Sequence, residues 1–210
     1  VVTEIPSLKL LLASIWLPGP VIRSELDRIA AQTTEALCSL LREKAPNDHE
    51  EVSSKIRPLS GSIEERRAVM ASNHRVLVEA LSNGIGFDGA VDVGREALFM
   101  VGVRLGEESR VRLGVGDSIR DLLLAARVLY RVLEISFTAE RDGQRIRIVV
   151  ERCALSCYYS ELACIVLSAV DEGVVRGLNP NVAMRFEKRK TAGSPTCVAR
   201  VNTQAGERRS

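Results

Sequence analysis

The sequence predicts an α+β fold: a helical N-terminal half followed by a β-β-α-β-β antiparallel sheet unit. Three observations carry this. Apolar residues recur at three- and four-residue spacing from Leu8 to Tyr130, the period of helices packed on a core. From Val132 the period drops to two, with Leu133, Ile135, Phe137 and Ala139 alternating with Glu134, Ser136 and Thr138. Asp142-Gly143 then marks a tight hairpin turn, and Ile146, Ile148 and Val150 alternate with Arg145, Arg147 and Val149 on the return.

In chain order, Leu8 to Trp16 forms a short helix. After the Pro18-Gly19-Pro20 break a long one carries Ile22, Leu26, Ile29, Leu37 and Leu41 on its apolar stripe. Cys38 lies among those positions, as a small packed thiol commonly does. Pro46-Asn47-Asp48 ends the helix, and the polar stretch to Ser62, broken by Pro58 and Gly61, reads as a connecting loop. Ser62 with Glu65 makes a capping box for a helix from Ile63 to about Ser82, which Asn83-Gly84 stops. His74, between Asn73 and Arg75, reads as a solvated or capping side chain. A further helix runs from about Gly89 to Gly106, and its Gly94 and Gly102, eight residues apart, permit a neighbouring helix to approach closely. Gly114 to Gly116 lacks the phosphate-loop pattern and reads as a loop before a helix capped by Asp117 or Ser118. The division is residues 1–62 as N-terminal helices and linker, 63–203 as an α+β ligand-pocket domain, and 204–210 as a disordered polar tail.

Chemistry concentrates between Arg152 and Arg200, where four of the five cysteines fall. On a helix from Leu155 to Gly173, Leu155, Tyr158, Leu162, Ile165, Val166 and Ala169 form a core-facing stripe. Cys157, Glu161, Cys164, Ser168 and Asp171 follow on the opposite stripe at steps of four, three, four and three. Two thiols, a hydroxyl and two carboxylates suit a pocket wall better than a face that only meets water. The chain then turns at Leu178-Asn179-Pro180 into a second strand pair, Val182 to Arg189 and Cys197 to Asn202, joined around Thr191-Ala192-Gly193-Ser194-Pro195.

Arg152-Cys153, Cys164, Asp171 and the run Arg185-Phe186-Glu187-Lys188-Arg189-Lys190-Thr191-Ala192-Gly193 with Cys197 beyond it resemble the C-terminal half of the L-2-amino-thiazoline-4-carboxylic acid hydrolase family. The layout is also similar to the 4-vinyl reductase type of ligand-binding domain, in which such a unit closes over an apolar pocket or a zinc site. The chain departs from the first pattern in placing Val198 and Ala199, rather than Asp-Phe, after Cys197. It departs from the second in following Glu187 with Lys188, Arg189 and Lys190 where a cysteine ligand is used. The hydrolase resemblance implies attack on a thiazoline carbon by Cys157 or Cys164, with Glu161 as base toward a bound water and Asp171 or Thr191 orienting the substrate. The binding-module reading instead gives a small-molecule ligand held by Tyr158, Ser168, Thr191 and Cys197. A zinc ion on Cys153, Cys157, Cys164 and Cys197 is a variant of either, although their spacing is not that of zinc knuckles.

Several classes are excluded. Lys and Arg number 29 against 27 Asp and Glu, and aromatics are only 4% of 210 residues, so neither the charge nor the stacking surface of a nucleic-acid binder is present. No apolar run reaches the ~20 residues of a membrane helix. Lys9 to Leu17 is the nearest, but Pro18 cuts it off and Glu4 precedes it, against a secretion signal. An odd count of five clustered cysteines points to free thiols in a reducing cytoplasm. The apolar first helix, with Trp16 near the break, offers a homodimer surface.

Overall fold

A computed structural model describes residues 6–142 and 145–203, without the side chains of Asp142 and Arg145. Gly143, where the first hairpin turn was expected, and the tail at 204–210 lie outside the described residues. Seven helices and four strands follow in the predicted class: α1 Leu8–Ile15, α2 Gly19–Lys44, α3 Pro46–Lys55, α4 Ile63–Ile85, α5 Phe87–Leu113, α6 Ile119–Val132, β1 Ile135–Asp142, β2 Arg145–Cys153, α7 Glu161–Leu178, β3 Val182–Lys188 and β4 Cys197–Thr203. The sheet is antiparallel in the order β1-β2-β4-β3, so the two hairpins meet along β2 and β4, with Val150 opposite Cys197 and Ile148 opposite Ala199.

Several boundaries move, each for a local reason. The expected loop after Pro46 contains helix α3, because proline is favoured in the first turn of a helix and Val52 gives this one a buried contact. Helix α4 continues through Asn83-Gly84 and stops at Gly86, whose φ of 80° few other residues adopt readily. Its start is the expected capping box, with Ser62 and Glu65 bonded reciprocally. Helix α5 runs past Gly106 to Leu113 and ends on left-handed Gly114. Of the two candidate caps for α6, Ser118 is used, accepting from the Asp121 N–H. Val132 closes α6, and β1 begins only at Ile135. Between them Arg67 reaches from α4 to donate to the Val132 carbonyl at 2.8 Å and to Glu134 at 2.7 Å.

The largest correction concerns α7. It starts at Glu161, not Leu155: Ser160 accepts from the Ala163 N–H as an N-cap, while Leu155 to Tyr159 forms a turn in which the Tyr158 and Tyr159 N–H groups both donate to the Leu155 carbonyl. Gly173 and Gly177 do not end it, because they are where it touches α5. A Cβ at Gly173 would lie 2.1 Å from the Phe99 carbonyl oxygen, and one at Gly102 would lie 2.2 Å from that of Val170. The close approach expected of Gly102 is therefore made by α7, backbone against backbone.

The sheet's inner face, with Ile148, Val150, Ala199 and Val201, is buried against α6 and α7 in one apolar cluster. A second cluster joins α2, α4, α5 and α7 through Leu37, Leu77, Leu98 and Val166. Helix α1 buries Leu10 on the body of the fold and leaves Leu8, Leu12, Ile15 and Trp16 exposed. No helix among the described residues is long and apolar enough to cross a membrane.

Candidate functional site

Helix α7 packs its glycines on α5 and turns its other side toward the sheet. Cys164, Ser168 and Asp171, at i, i+4 and i+7, share that face. They form one wall of a pocket that Ile29 and Thr33 of α2, Met70 and His74 of α4, and Val150 and Phe186 of the sheet complete. The pocket measures about 90 Å³ and its lining is mostly apolar. That is more room than a single water needs, enough for a small organic molecule.

Strand ends bring further groups to it. Cys153 closes β2 and Cys197 opens β4. A bulge between Phe186 and Lys188 bends the end of β3 into the short turn Lys190–Ala192, which Gly193 closes at a φ of 85°. That turn sets Arg189 and Thr191 against the pocket, and the Lys190 N–H donates to the Cys197 sulfur at 3.3 Å. Of the residues singled out from sequence, Cys153, Cys164, Ser168, Asp171, Thr191 and Cys197 thus line one space. Cys157 and Glu161 are exposed and do not line it. Cys157 rides on the turn before the helix, its thiol donating to the Ala154 carbonyl at 3.2 Å. Tyr158 packs beside Leu155 in a separate cluster, and its neighbour Tyr159 reaches the pocket instead. Among the described residues no group of three or more His, Cys, Asp or Glu side chains is placed to hold a metal ion, and Cys157 stands apart from the other three thiols of the expected set.

Burial sets the electrostatics. Asp171 retains some accessible surface, but it lies deep inside the protein where that surface opens on the pocket. Loss of water, then the charge of neighbouring Glu172, pushes its carboxyl up to about 7, against the pull of the Tyr130 hydroxyl. Burial raises the Cys153 thiol to about 12 and raises Cys164 as well, although Thr191 and Arg189 beside Cys164 favour its thiolate. All three groups are thereby held toward their neutral forms.

Two arginines stitch the α7 face to its surroundings. Arg95 of α5 donates to the Ile165 carbonyl at 2.8 Å and pairs with Glu172 at 2.6 Å, while the other Glu172 oxygen accepts from the Phe186 N–H. Ser168 accepts from Arg95 and, at 3.0 Å, from Arg189, and donates to the Ile165 carbonyl. Arg189 also lies over the Phe186 ring, 5.5 Å from its centre. Its Nε is enclosed without a hydrogen-bond partner, a state that costs about 1–3 kcal/mol, while the enclosed Thr191 Oγ1 has the Cys164 thiol beside it.

His74, at the pocket, is 1% exposed rather than solvated, as deeply buried as its neighbour Thr33. The Thr33 hydroxyl lies 2.8 Å from the Ile29 carbonyl and is hydrogen-bonded to His74 Nε2 at 2.8 Å. His74 Nδ1 is hydrogen-bonded to the Tyr159 hydroxyl at 2.9 Å. Burial drives the imidazole down to about 3, so it is neutral at physiological pH. The sequence did hold a signal for this: Met70, His74, Leu77 and Leu81 fall on one helical stripe, all buried.

No family model matches this chain. No curated protein matches it either. Among solved structures it is similar to the phenol-responsive sensory domain of the transcription activator PoxR with phenol, at 14% identity and a TM-score of 0.49, over 74% of this chain and 90% of that one. It is also similar to a trafficking protein particle complex subunit 3 from Naegleria fowleri covalently bound to palmitic acid, at 15% identity and a TM-score of 0.50 over 65% of this chain and 94% of that one. The likeness to the trafficking subunit is one of fold.

Proposed function

We propose that this chain is a small-ligand binding module whose ligand, a small organic molecule, sits between α7, the helical layer and the sheet. The observation that carries the reading is the pocket itself: about 90 Å³, chiefly apolar, with a few convergent polar groups whose ionisation burial has shifted. Sharing a fold with the trafficking subunit does not by itself carry that ligand across.

The hydrolase resemblance supplies a second reading, favoured by Arg189 and Thr191 beside the Cys164 thiol. Burial nonetheless raises that thiol, and the nearest imidazole is already bonded at both nitrogens. Binding therefore draws more support than nucleophilic catalysis. A thermal-shift screen of neutral and charged single-ring molecules tests it, with calorimetry on the hits. Ligands should raise Tm in a concentration-dependent way. Cys164→Phe, which fills the space from α7, should abolish the shift while leaving a folded protein. If no molecule of this size binds, or binding survives Cys164→Phe, the reading fails.

A further inference from the structure

The polar groups of the pocket fall into two sets. Asp171, Tyr130 and Cys153, the last residue of β2, influence one another at one end. Arg189, Thr191 and Cys164 make the other end, under the bent tip of β3. Two cations line the pocket apart from the neutral His74, and they differ in how they are used. Lys190 sends its Nζ away to the Glu151 carbonyl at 3.0 Å. Arg189 has a serine hydroxyl as its hydrogen-bond partner, and among the described residues it pairs with no carboxylate. Glu172, the nearest acid, is taken by Arg95 at 2.6 Å and by a backbone N–H.

A half-buried guanidinium whose central carbon lies 5.5 Å from the Phe186 ring centre, paired with no acid among the described residues and set near the Thr191 hydroxyl at the pocket, has the composition of an anion subsite. We infer that the ligand carries a carboxylate, received by Arg189 and Thr191, with its apolar part directed into the pocket toward Val150, Met70 and Ile29. This rests on the pocket reading above. A ring bearing one carboxylate supplies both parts, an apolar body for the pocket and an anion for its rim.

Benzoate and its neutral near-isostere benzamide distinguish this inference from the reading it rests on. Calorimetric titration of the full chain should show benzoate binding at least about tenfold more tightly than benzamide, as expected for a charge-assisted pair out of water. Arg189→Gln should weaken benzoate by about tenfold or more and benzamide by less than about threefold, with Arg189→Lys in between. Retained benzamide binding shows that the variant pocket is intact, and Thr191→Val should reproduce a smaller loss for benzoate alone. Equal binding of the two probes by the wild-type chain, or a benzoate affinity indifferent to Arg189, overturns the carboxylate subsite and leaves the pocket standing. Failure of both probes to bind overturns the subsite together with the pocket.

Discussion

The two sides of α7 are built on opposite terms. Toward α5 the helix carries Gly173 and Gly177, and the backbones touch so closely that a single added methyl would overlap a carbonyl oxygen. Toward the sheet it carries Cys164, Ser168 and Asp171 around a space that its side chains do not fill. A protein interior is ordinarily packed as densely as an organic crystal. Helix α7 departs from that density on one side only: it is packed to contact at its seam with α5 and borders a cavity toward the sheet.

Substitutions separate the two. Gly173→Ala forces a Cβ to 2.1 Å from the Phe99 oxygen, and the helices must part. We expect a loss of about 3 kcal/mol, the upper range for overpacking, read as a fall in the urea midpoint. A loss below about 1 kcal/mol would show that the seam yields and would dissolve the contrast.

On the open side the expected effect is a change in pH dependence. The folded-state pKa of Asp171, about 7, lies above its ordinary 3.8, so the native state holds a proton that the unfolded chain has released. This group's contribution is full below the ordinary value, declines as pH rises toward about 7 and is lost above it. His74 works in the opposite sense: its folded value of about 3 lies below the ordinary 6.5, so its contribution is full above 6.5 and is lost as pH falls toward 3. Asp171→Asn should therefore raise the urea midpoint near pH 8 relative to wild type and remove the decline between about pH 4 and 7, leaving the acid-side loss from His74. An unchanged pH profile would place Asp171 in water.

The smallest effect belongs to Cys157, on the exposed turn. Cys157→Ser should alter stability by less than about 0.5 kcal/mol and leave ligand binding intact. Alkylation followed by peptide mass analysis should label Cys157 before the partly or fully buried Cys153, Cys164 and Cys197. Faster labelling of Cys164 would mean that the pocket is open and its thiol ionised, which would favour the catalytic reading.

Much of this architecture is legible in the chain, and the illegible part has a physical cause. The periodicity of two that sets in before Ile135 gives the hairpins, and the spacing of Cys164, Ser168 and Asp171 gives one face of a helix without any tertiary information. The position of Cys157 is not legible in the same way. Leu155 to Tyr159 has an apolar pattern that a turn and a helix satisfy equally, and Ser160 can continue a helix as well as cap one. His74 and Tyr159 are 85 residues apart, and no local pattern states that they meet. Nothing in the local sequence joins Arg95 to Arg189, which the fold brings together at Ser168.

The bonds through Thr33, His74 and Tyr159 tie three separate parts of the chain together along one side of the pocket: Thr33 belongs to α2, His74 to α4 and Tyr159 to the turn before α7. One imidazole is thus the shared anchor of two hydroxyls, and replacing it would release both of them, and the two segments that carry them, in a single step.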